Sequence, residues 1–143
     1  MNLSAETLHA STVANDGRAV LITGPSGAGK SDLALRLVDR GFTLVSDDRT
    51  IVRKVGDRLI ASAPATIVGK LEIRGIGIVD MATVGDVPVA LLVELTSDIQ
   101  RLPDDSRERP ILGVPVPLIT IDAMTASAPS KVALGLDRLG LRF

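Results

Sequence analysis

The feature that most constrains this chain is a glycine-rich segment at residues 24–31, which reads GPSGAGKS. It matches the phosphate-binding pattern G-x-x-x-x-G-K-[ST] at every required position. In such a loop the glycines let successive backbone N–H groups turn toward phosphate oxygens, and the helix that follows points its positive end at the same place. The segment therefore predicts an α/β fold with a strand, a phosphate-binding loop and a helix in that order.

The residues on either side of the loop agree with that prediction. Residues 18–23 (RAVLIT) form a compact apolar run with β-branched members, which is typical of a buried strand. Residues 31–40 predict an amphipathic helix, and Gly41 follows as a left-handed end cap. The apolar face of that helix would consist of Leu33, Ala34, Leu37 and Val38.

The loop predicts a bound nucleotide, which we expect to be ATP. Lys30 would bridge the β- and γ-phosphates, and the hydroxyl of Ser31 would ligate Mg²⁺. The residues assigned to the nucleotide are Gly24, Pro25, Ser26, Gly27, Ala28, Gly29, Lys30 and Ser31.

The rest of the chain has few helical patterns, which predicts a P-loop-type sheet with few helices rather than a regular alternation of strands and helices. A length of 143 residues suits one domain, spanning 1–143. The further predicted elements are a strand at 42–46, a hairpin at 50–61 that turns at Gly56-Asp57, an alternating strand at 71–79, a central strand at 89–95, an exposed loop at 103–110 and a closing helix from Lys131.

Composition narrows the chemistry that the chain can perform. It has no Cys, a single His at position 9, and no aromatic residues besides Phe42 and Phe143. These numbers exclude thiol catalysis, cysteine-based metal centres, multi-histidine metal sites and an aromatic platform for single-stranded nucleic acid. Catalysis would therefore depend on carboxylates, Lys, Arg and His9.

The net charge and the hydropathy of the chain indicate which partners and which cellular location to expect. The net charge of −1 gives no general attraction to nucleic acid or to anionic lipid. Residues 1–14 lack a signal-peptide pattern, and no apolar run approaches the ~18 residues that a membrane-spanning helix needs. We expect a cytoplasmic protein whose partners include neither nucleic acid nor a membrane.

Two acidic residues, Asp47 and Asp48, follow the strand predicted at 42–46. Because one helix separates this strand from the loop, the pair can lie near the γ-phosphate. There, one carboxylate can accept the proton of an attacking hydroxyl, and the other can hold a metal through water. An ordinary turn after a strand suits the same residues equally well.

Four other polar residues each have two interpretations. Glu72 and Arg74 would share one face of the alternating strand, either as an ion pair or as site residues. His9 is either a packing residue or part of the site. Arg101 is either a solvated surface charge or a cation that stabilises a transition state. The residues themselves leave these alternatives open.

In combination, the motifs resemble the catalytic domain of bacterial HPr kinase/phosphorylase, which phosphorylates a serine of HPr, the phosphocarrier of the sugar phosphotransferase system. The resemblance covers roughly residues 8–122. The matching motifs are a His before the first strand (His9), the phosphate loop (24–31), an Asp-Asp pair at the end of the next strand (Asp47-Asp48), the signature E-x-R-G-x-G-I (72–78), and an Arg near a loop before a late ITI strand, best matched by Arg101.

The resemblance implies a fold related to phosphoenolpyruvate carboxykinase and a role for each candidate residue. Asp48 would be the base that deprotonates the substrate serine, and the acid in the reverse reaction. The other implied roles are phosphate binding by Lys30, Mg²⁺ binding by Ser31 and Glu72, a place near the metal or its water for Asp47, and assistance in the site from His9 and Arg101. HPr or a related phosphocarrier would be the partner, and the protein would assemble as a homo-oligomer.

The sequence departs from the family pattern at three points. Eight residues precede His9, where full-length members carry an N-terminal domain, so we expect the short single-domain form. The family's Gly after this His is Ala10 here. The late strand continues as DAMTA (122–126), where the family has a Gly-Arg-Asn stretch tied to dephosphorylation and assembly.

Two other functions remain open. A P-loop kinase for a small molecule usually carries an arginine-rich lid, of which Arg101, Arg107 and Arg109 would be a thin version. A nucleotide-gated regulatory module would bind ATP and a signalling partner without phosphoryl transfer. Such a module has no need of Asp48, so the intact acid pair favours an enzyme.

Overall fold

The structure is a computed structural model that describes residues 4–98 and 107–143, which form a mixed α/β fold. In these two segments there are two helices and eleven strands. They are β1 (Ala5–Leu8), β2 (Ala10–Asn15), β3 (Arg18–Thr23), α1 (Lys30–Asp39), β4 (Thr43–Ser46), β5 (Thr50–Val55), β6 (Arg58–Ser62), β7 (Lys70–Ile73), β8 (Gly77–Asp80), β9 (Val87–Leu95), β10 (Arg107–Ile111), β11 (Val114–Ile121) and α2 (Ala128–Leu139).

Nine of the strands form one sheet that branches at β9. Its main path runs β1-β5-β6-β9-β3-β2-β4, and β11 pairs with β9 and carries β10 at its other side. Strand β9 is parallel to both β3 and β11, and the other pairings in the sheet are antiparallel. It pairs with β6 through its first two residues and with β11 through its last four. The sheet therefore curls around β9 instead of remaining one flat layer.

The core lies on both faces of this sheet because strand residues alternate between them. In β3, Val20 and Ile22 belong to the cluster that packs under α1 and α2. Ala19 and Leu21 belong to the cluster on the opposite face, which is closed by residues of β5, β6, β10 and β11. Burial on both faces explains why β3 reads as a continuous apolar run.

Several predicted elements are confirmed. The strand at 18–23 has the predicted bounds, and the central strand at 89–95 is most of β9. The hairpin at 50–61 is β5 and β6. The predicted helices are α1 and α2, although α2 begins three residues before Lys131, at Ala128, with a proline in its first turn. Proline suits that position because the first N–H groups of a helix lack a partner within the helix.

Two predictions from the later sequence are wrong. Residues 71–79 are not one strand but the hairpin β7–β8, since Gly75 and Gly77 take φ values of 88° and 114° and turn the chain back. Residues 107–110 are not loop but part of β10. This strand tolerates Pro110 because it pairs only with β11 and lies at a sheet edge. The other half of the predicted loop, 103–106, lies outside the described residues.

The register brings several strand ends to one edge of the sheet. Ala10 at the start of β2 pairs with Thr23 at the end of β3, and Thr12 pairs with Ser46 at the end of β4. Thr23 also pairs with Glu94, near the end of β9. The segments after β3 and β4 and the segment before β2 therefore meet at this edge. No helix in the described part of the chain is long and apolar enough to cross a membrane.

Candidate active site

The glycine-rich loop connects β3 to α1 at that edge. Gly27 and Gly29 have φ values of 82° and 99°, conformations that other residues rarely adopt. Gly29 is the residue before α1, and no side chain caps the helix there. The first N–H groups of α1 therefore remain available to an anion.

Lys30 folds back over this loop. Its Nζ donates hydrogen bonds to the backbone oxygens of Gly24 at 3.0 Å and Pro25 at 3.2 Å. Two carbonyl groups at the start of the loop therefore hold the ammonium group. A phosphate in the loop would meet this positive charge and the start of α1 together.

Asp47 connects three elements through its carboxylate. Its Oδ1 accepts hydrogen bonds from Ser31 Oγ at 2.6 Å and from Ser11 Oγ at 2.9 Å. Its Oδ2 accepts one from the backbone N–H of Glu72 at 3.1 Å. The residue is 8% exposed, so a buried charge is paired with three donors. Asp47 thereby ties α1, β2 and β7 to the end of β4.

Asp48 differs from its neighbour in exposure and in the contacts of its carboxylate. Its backbone N–H donates to Ser11 Oγ at 3.1 Å, and its φ is 66°, in the left-handed region. It is exposed, and its carboxylate has no hydrogen bond or ion pair with any other described residue. One acid of the pair is therefore fixed inside the protein, and the other is presented to solvent at the sheet edge.

The other candidate residues are distributed unevenly. His9 is exposed and immediately precedes Ala10, whose partner Thr23 immediately precedes Gly24, so the register brings His9 to the start of the loop. Glu72 is exposed on β7 and reaches the site through its backbone N–H. Arg74 lies in the turn after β7, so the predicted shared face with Glu72 is wrong.

Arg101 lies outside the described residues. The two other arginines of the predicted lid lie on an edge strand of the sheet. Arg107 and Arg109 belong to β10, and Arg109 makes an ion pair with Glu94 at 2.7 Å.

The chemistry of the donor set suits Mg²⁺. Ser31 and Asp47 offer hydroxyl and carboxylate oxygens that are already in contact, and Glu72 supplies a second carboxylate on the strand joined to Asp47. Mg²⁺ prefers oxygen ligands and is commonly bound through one or two carboxylates, with water and phosphate oxygens completing its shell. Among the described residues there is no cluster of three His, Cys, Asp or Glu side chains that could hold a metal without such help.

Sequence reasoning missed Ser11 and Arg36. Ser11 is fully buried on β2, where the next residue, Thr12, is polar and buried as well, so no pattern in the sequence singles it out. Arg36 on α1 donates to the backbone oxygens of Ala123 and Thr125. It thus holds the DAMTA segment, where this chain departs from the family pattern. Since a Cβ on Gly29 would lie 3.4 Å from that of Ala123, this segment packs against the phosphate loop.

Comparisons with known proteins agree on one family. The family described as "HPr Serine kinase C-terminal domain" matches residues 2–133. The HPr kinase/phosphorylase of Latilactobacillus sakei is 41% identical over 128 residues, which cover 80% of this chain and 41% of the relative. That of Clostridium botulinum (strain Eklund 17B / Type B) is 37% identical over 132 residues, covering 83% of this chain and 43% of the relative. This chain thus spans less than half the length of these relatives.

A solved structure extends the agreement to the fold. The Hpr(Ser) kinase/phosphatase from Coxiella burnetii superposes with a TM-score of 0.81 at 33% sequence identity, covering 92% of this chain and 94% of that chain. The predicted class, an α/β sheet with few helices like that of an HPr kinase catalytic domain, is confirmed.

Proposed function

The chain belongs to the family of the HPr serine kinase C-terminal domain, and from that premise we propose that it transfers the γ-phosphoryl group of ATP to a serine of the phosphocarrier HPr. The observation that carries the proposal is the position of Asp47. Its carboxylate accepts a hydrogen bond from Ser31 of the phosphate loop, while the next residue, Asp48, is exposed. Nucleotide and acceptor could therefore meet within one small region.

Each charged group has a distinct part in this proposal. Lys30 binds the β- and γ-phosphates, assisted by the N–H groups at the start of α1. Ser31, Asp47 and Glu72 hold Mg²⁺ directly or through water. When bound, the metal ion neutralises charge on the phosphates.

Asp48 acts as the base. Its carboxylate accepts the proton of the substrate serine as the serine oxygen forms a bond to the γ-phosphorus. The bond from that phosphorus to the oxygen bridging to the β-phosphate breaks, and ADP leaves with the electron pair of that bond. An exposed carboxylate without another described partner suits this task, because no group in the described part of the chain competes with the serine hydroxyl for it.

Histidine and arginine complete the proposed site. His9, brought to the start of the loop by the strand register, would contact the substrate or its phosphate. Arg101 would stabilise the charge that develops on the transferred group. In the reverse step, an oxygen of inorganic phosphate attacks the phosphorus of phosphoserine, the bond from that phosphorus to the serine oxygen breaks, and pyrophosphate forms. Asp48 would be the acid that returns the proton to the serine oxygen.

We propose further that the chain acts as one domain, forms a homo-oligomer and works in the cytoplasm, where its phosphocarrier would be found.

The test is a transfer assay with the purified chain, radiolabelled ATP, Mg²⁺ and HPr. An HPr variant with Ala at the acceptor serine is the matched control, and the related phosphocarrier of the nitrogen branch is assayed in parallel. We expect label on the serine of wild-type HPr alone or of both carriers. Mass spectrometry would identify the modified residue, and phosphoserine-HPr with inorganic phosphate would test the reverse step.

Other results would replace this proposal. ATP consumption with small acceptors and no protein partner would favour a small-molecule kinase. Tight ATP binding without turnover on either carrier, together with nucleotide-dependent capture of a partner, would favour a regulatory module.

A further inference from the structure

Ser11 is the one side chain that contacts both members of the acid pair within the described residues. Its Oγ donates a hydrogen bond to Asp47 Oδ1 at 2.9 Å and accepts one from the backbone N–H of Asp48 at 3.1 Å. The residue is fully buried on β2, and its two partners follow β4. A single hydroxyl therefore both donates to and accepts from two consecutive residues that follow another strand.

The two hydrogen bonds have separate consequences. The bond to Asp47 fixes the oxygen that also accepts the Ser31 hydroxyl, so it orients the connection between the acid pair and the phosphate loop. The bond from the Asp48 N–H holds the backbone of a residue whose φ is 66°, a conformation that needs support from its surroundings. Ser11 thus determines where the exposed carboxylate of Asp48 stands relative to the loop.

Packing alone does not account for a serine at this position. The neighbouring side chains of β2 that belong to the core are Ala10, Val13 and Ala14, and an alanine would fill nearly the same volume. Replacing the hydroxyl with hydrogen would leave the Asp48 N–H without its acceptor and Asp47 with one donor fewer. The hydroxyl is therefore explained by its two contacts rather than by its size.

We propose that Ser11 is a positioning residue for phosphoryl transfer, which sets the geometry of Asp48 against the nucleotide without touching either substrate. This inference rests on the proposed function, since it specifies how the base of that reaction is held. It predicts that loss of the hydroxyl slows the chemical step and leaves nucleotide binding nearly intact. An error of about 1 Å in the position of a catalytic group can cost as much as about 100-fold in rate.

Thr12 provides a matched control. It is the next residue on β2 and equally buried. Its hydroxyl forms a hydrogen bond with Thr50 Oγ1 at 2.7 Å and none with Asp47 or Asp48 in the described structure. The variants Ser11→Ala and Thr12→Val each remove one buried hydroxyl from the same strand. A loss of activity that follows from destabilising β2 would therefore appear in both variants.

The experiment measures kcat and the KM for ATP in both variants, with urea unfolding to compare their stability. We expect Ser11→Ala to lower kcat about 10-fold or more with the KM for ATP within about twofold of wild type, and Thr12→Val to keep kcat near wild type. Equal loss of kcat in both variants, or wild-type kcat in Ser11→Ala, would overturn the proposal. So would a rise in KM with kcat unchanged.

A second measurement keeps the inference separate from the proposed function. Hydrogen exchange of the Asp48 amide needs no phosphocarrier, and we expect it to be faster in Ser11→Ala than in Thr12→Val. Unchanged exchange at this amide would contradict the positioning role whatever the assay shows. Failure of the wild-type protein to phosphorylate HPr would contradict the proposed function. The hydrogen-exchange measurement would still test whether Ser11 holds the backbone of Asp48.

Discussion

The hydroxyl of Ser31 lies 2.6 Å from Oδ1 of Asp47, so the first turn of α1 is hydrogen bonded to the residue that follows β4. Because Ser31 donates a hydrogen bond to this carboxylate, the lone pairs of its oxygen remain available to a cation. Asp47 also holds the backbone of β7 through the N–H of Glu72. The same carboxylate therefore organises the phosphate loop and the hairpin that carries the second proposed metal ligand.

Ser31→Ala should reduce the contribution of Mg²⁺ to nucleotide binding. The variant removes a proposed metal ligand and leaves the backbone N–H groups of the loop unchanged. We expect the Kd for ATP to rise about 10-fold in Mg²⁺ and to change little in EDTA, as the loss of one interaction with a charged group predicts. Isothermal titration calorimetry under both conditions measures this difference. Ser130→Ala on α2 is the control, and an equal loss with and without Mg²⁺ would argue against the metal role of Ser31.

Asp48→Asn should remove the negative charge of this residue and keep its backbone conformation. Asparagine tolerates positive φ, so the free energy of unfolding should stay within about 0.5 kcal/mol of wild type. Loss of the base should lower the rate of transfer to HPr about 100-fold or more. Asp16→Asn is the matched control, because Asp16 also has a positive φ, 52°, in the turn between β2 and β3. Wild-type transfer by Asp48→Asn would remove Asp48 from the mechanism.

The parts that the sequence predicted correctly depend on local patterns. The unit of β3, loop and α1 follows from one apolar run, a set of glycines and one helical period, all within residues 18–41. The adjacency of Asp47 and Asp48 to the loop followed from strand order, whereas their different surroundings did not. Those surroundings depend on Ser11, which is 36 residues from Asp47 in the chain, and no local pattern encodes that contact.

The errors have the same origin. Alternating residues at 71–79 suit a single strand as well as a hairpin, and only the positive φ values at Gly75 and Gly77 decide between them. Pro110 suggested a loop, but the strand that contains it is at the edge of the sheet, where a missing N–H donor is tolerated. In the first case the deciding information is a backbone conformation and in the second it is the position of the strand in the sheet, and the sequence pattern specifies neither.

Lys30→Met should affect binding much more than folding. Among the described residues the ammonium group donates hydrogen bonds to two carbonyls of a partly exposed loop, so its loss should change the free energy of unfolding by no more than about 1 kcal/mol. Binding of ATP should weaken about 10-fold or more, because the β- and γ-phosphates lose their positive partner. Urea unfolding without nucleotide and calorimetric titration with ATP would test the two effects separately. A variant that binds ATP as tightly as wild type would show that the ammonium group stays with the loop carbonyls and never reaches the phosphates.

Arg36→Met should loosen the segment that packs against the phosphate loop. The guanidinium donates to the backbone oxygens of Ala123 and Thr125 and makes an ion pair with Asp32 at 3.1 Å. Its removal leaves two carbonyls without these donors, and we expect the free energy of unfolding to fall by about 1–3 kcal/mol. The KM for ATP should also rise, because Ala123 packs against Gly29 at the start of α1.

Arg40→Met tests whether the effect of Arg36→Met is specific. Arg40 immediately follows the last residue of the same helix, but its guanidinium donates a hydrogen bond to Ser130 Oγ of α2 at 2.8 Å. Because that contact is exposed to solvent, its loss should change the free energy of unfolding by less than about 0.5 kcal/mol and leave the KM for ATP unchanged. Urea unfolding and steady-state kinetics on both variants provide the comparison. Equal destabilisation by the two substitutions would mean that the carbonyls of Ala123 and Thr125 find other donors, and that Arg36 does not hold this segment against the loop.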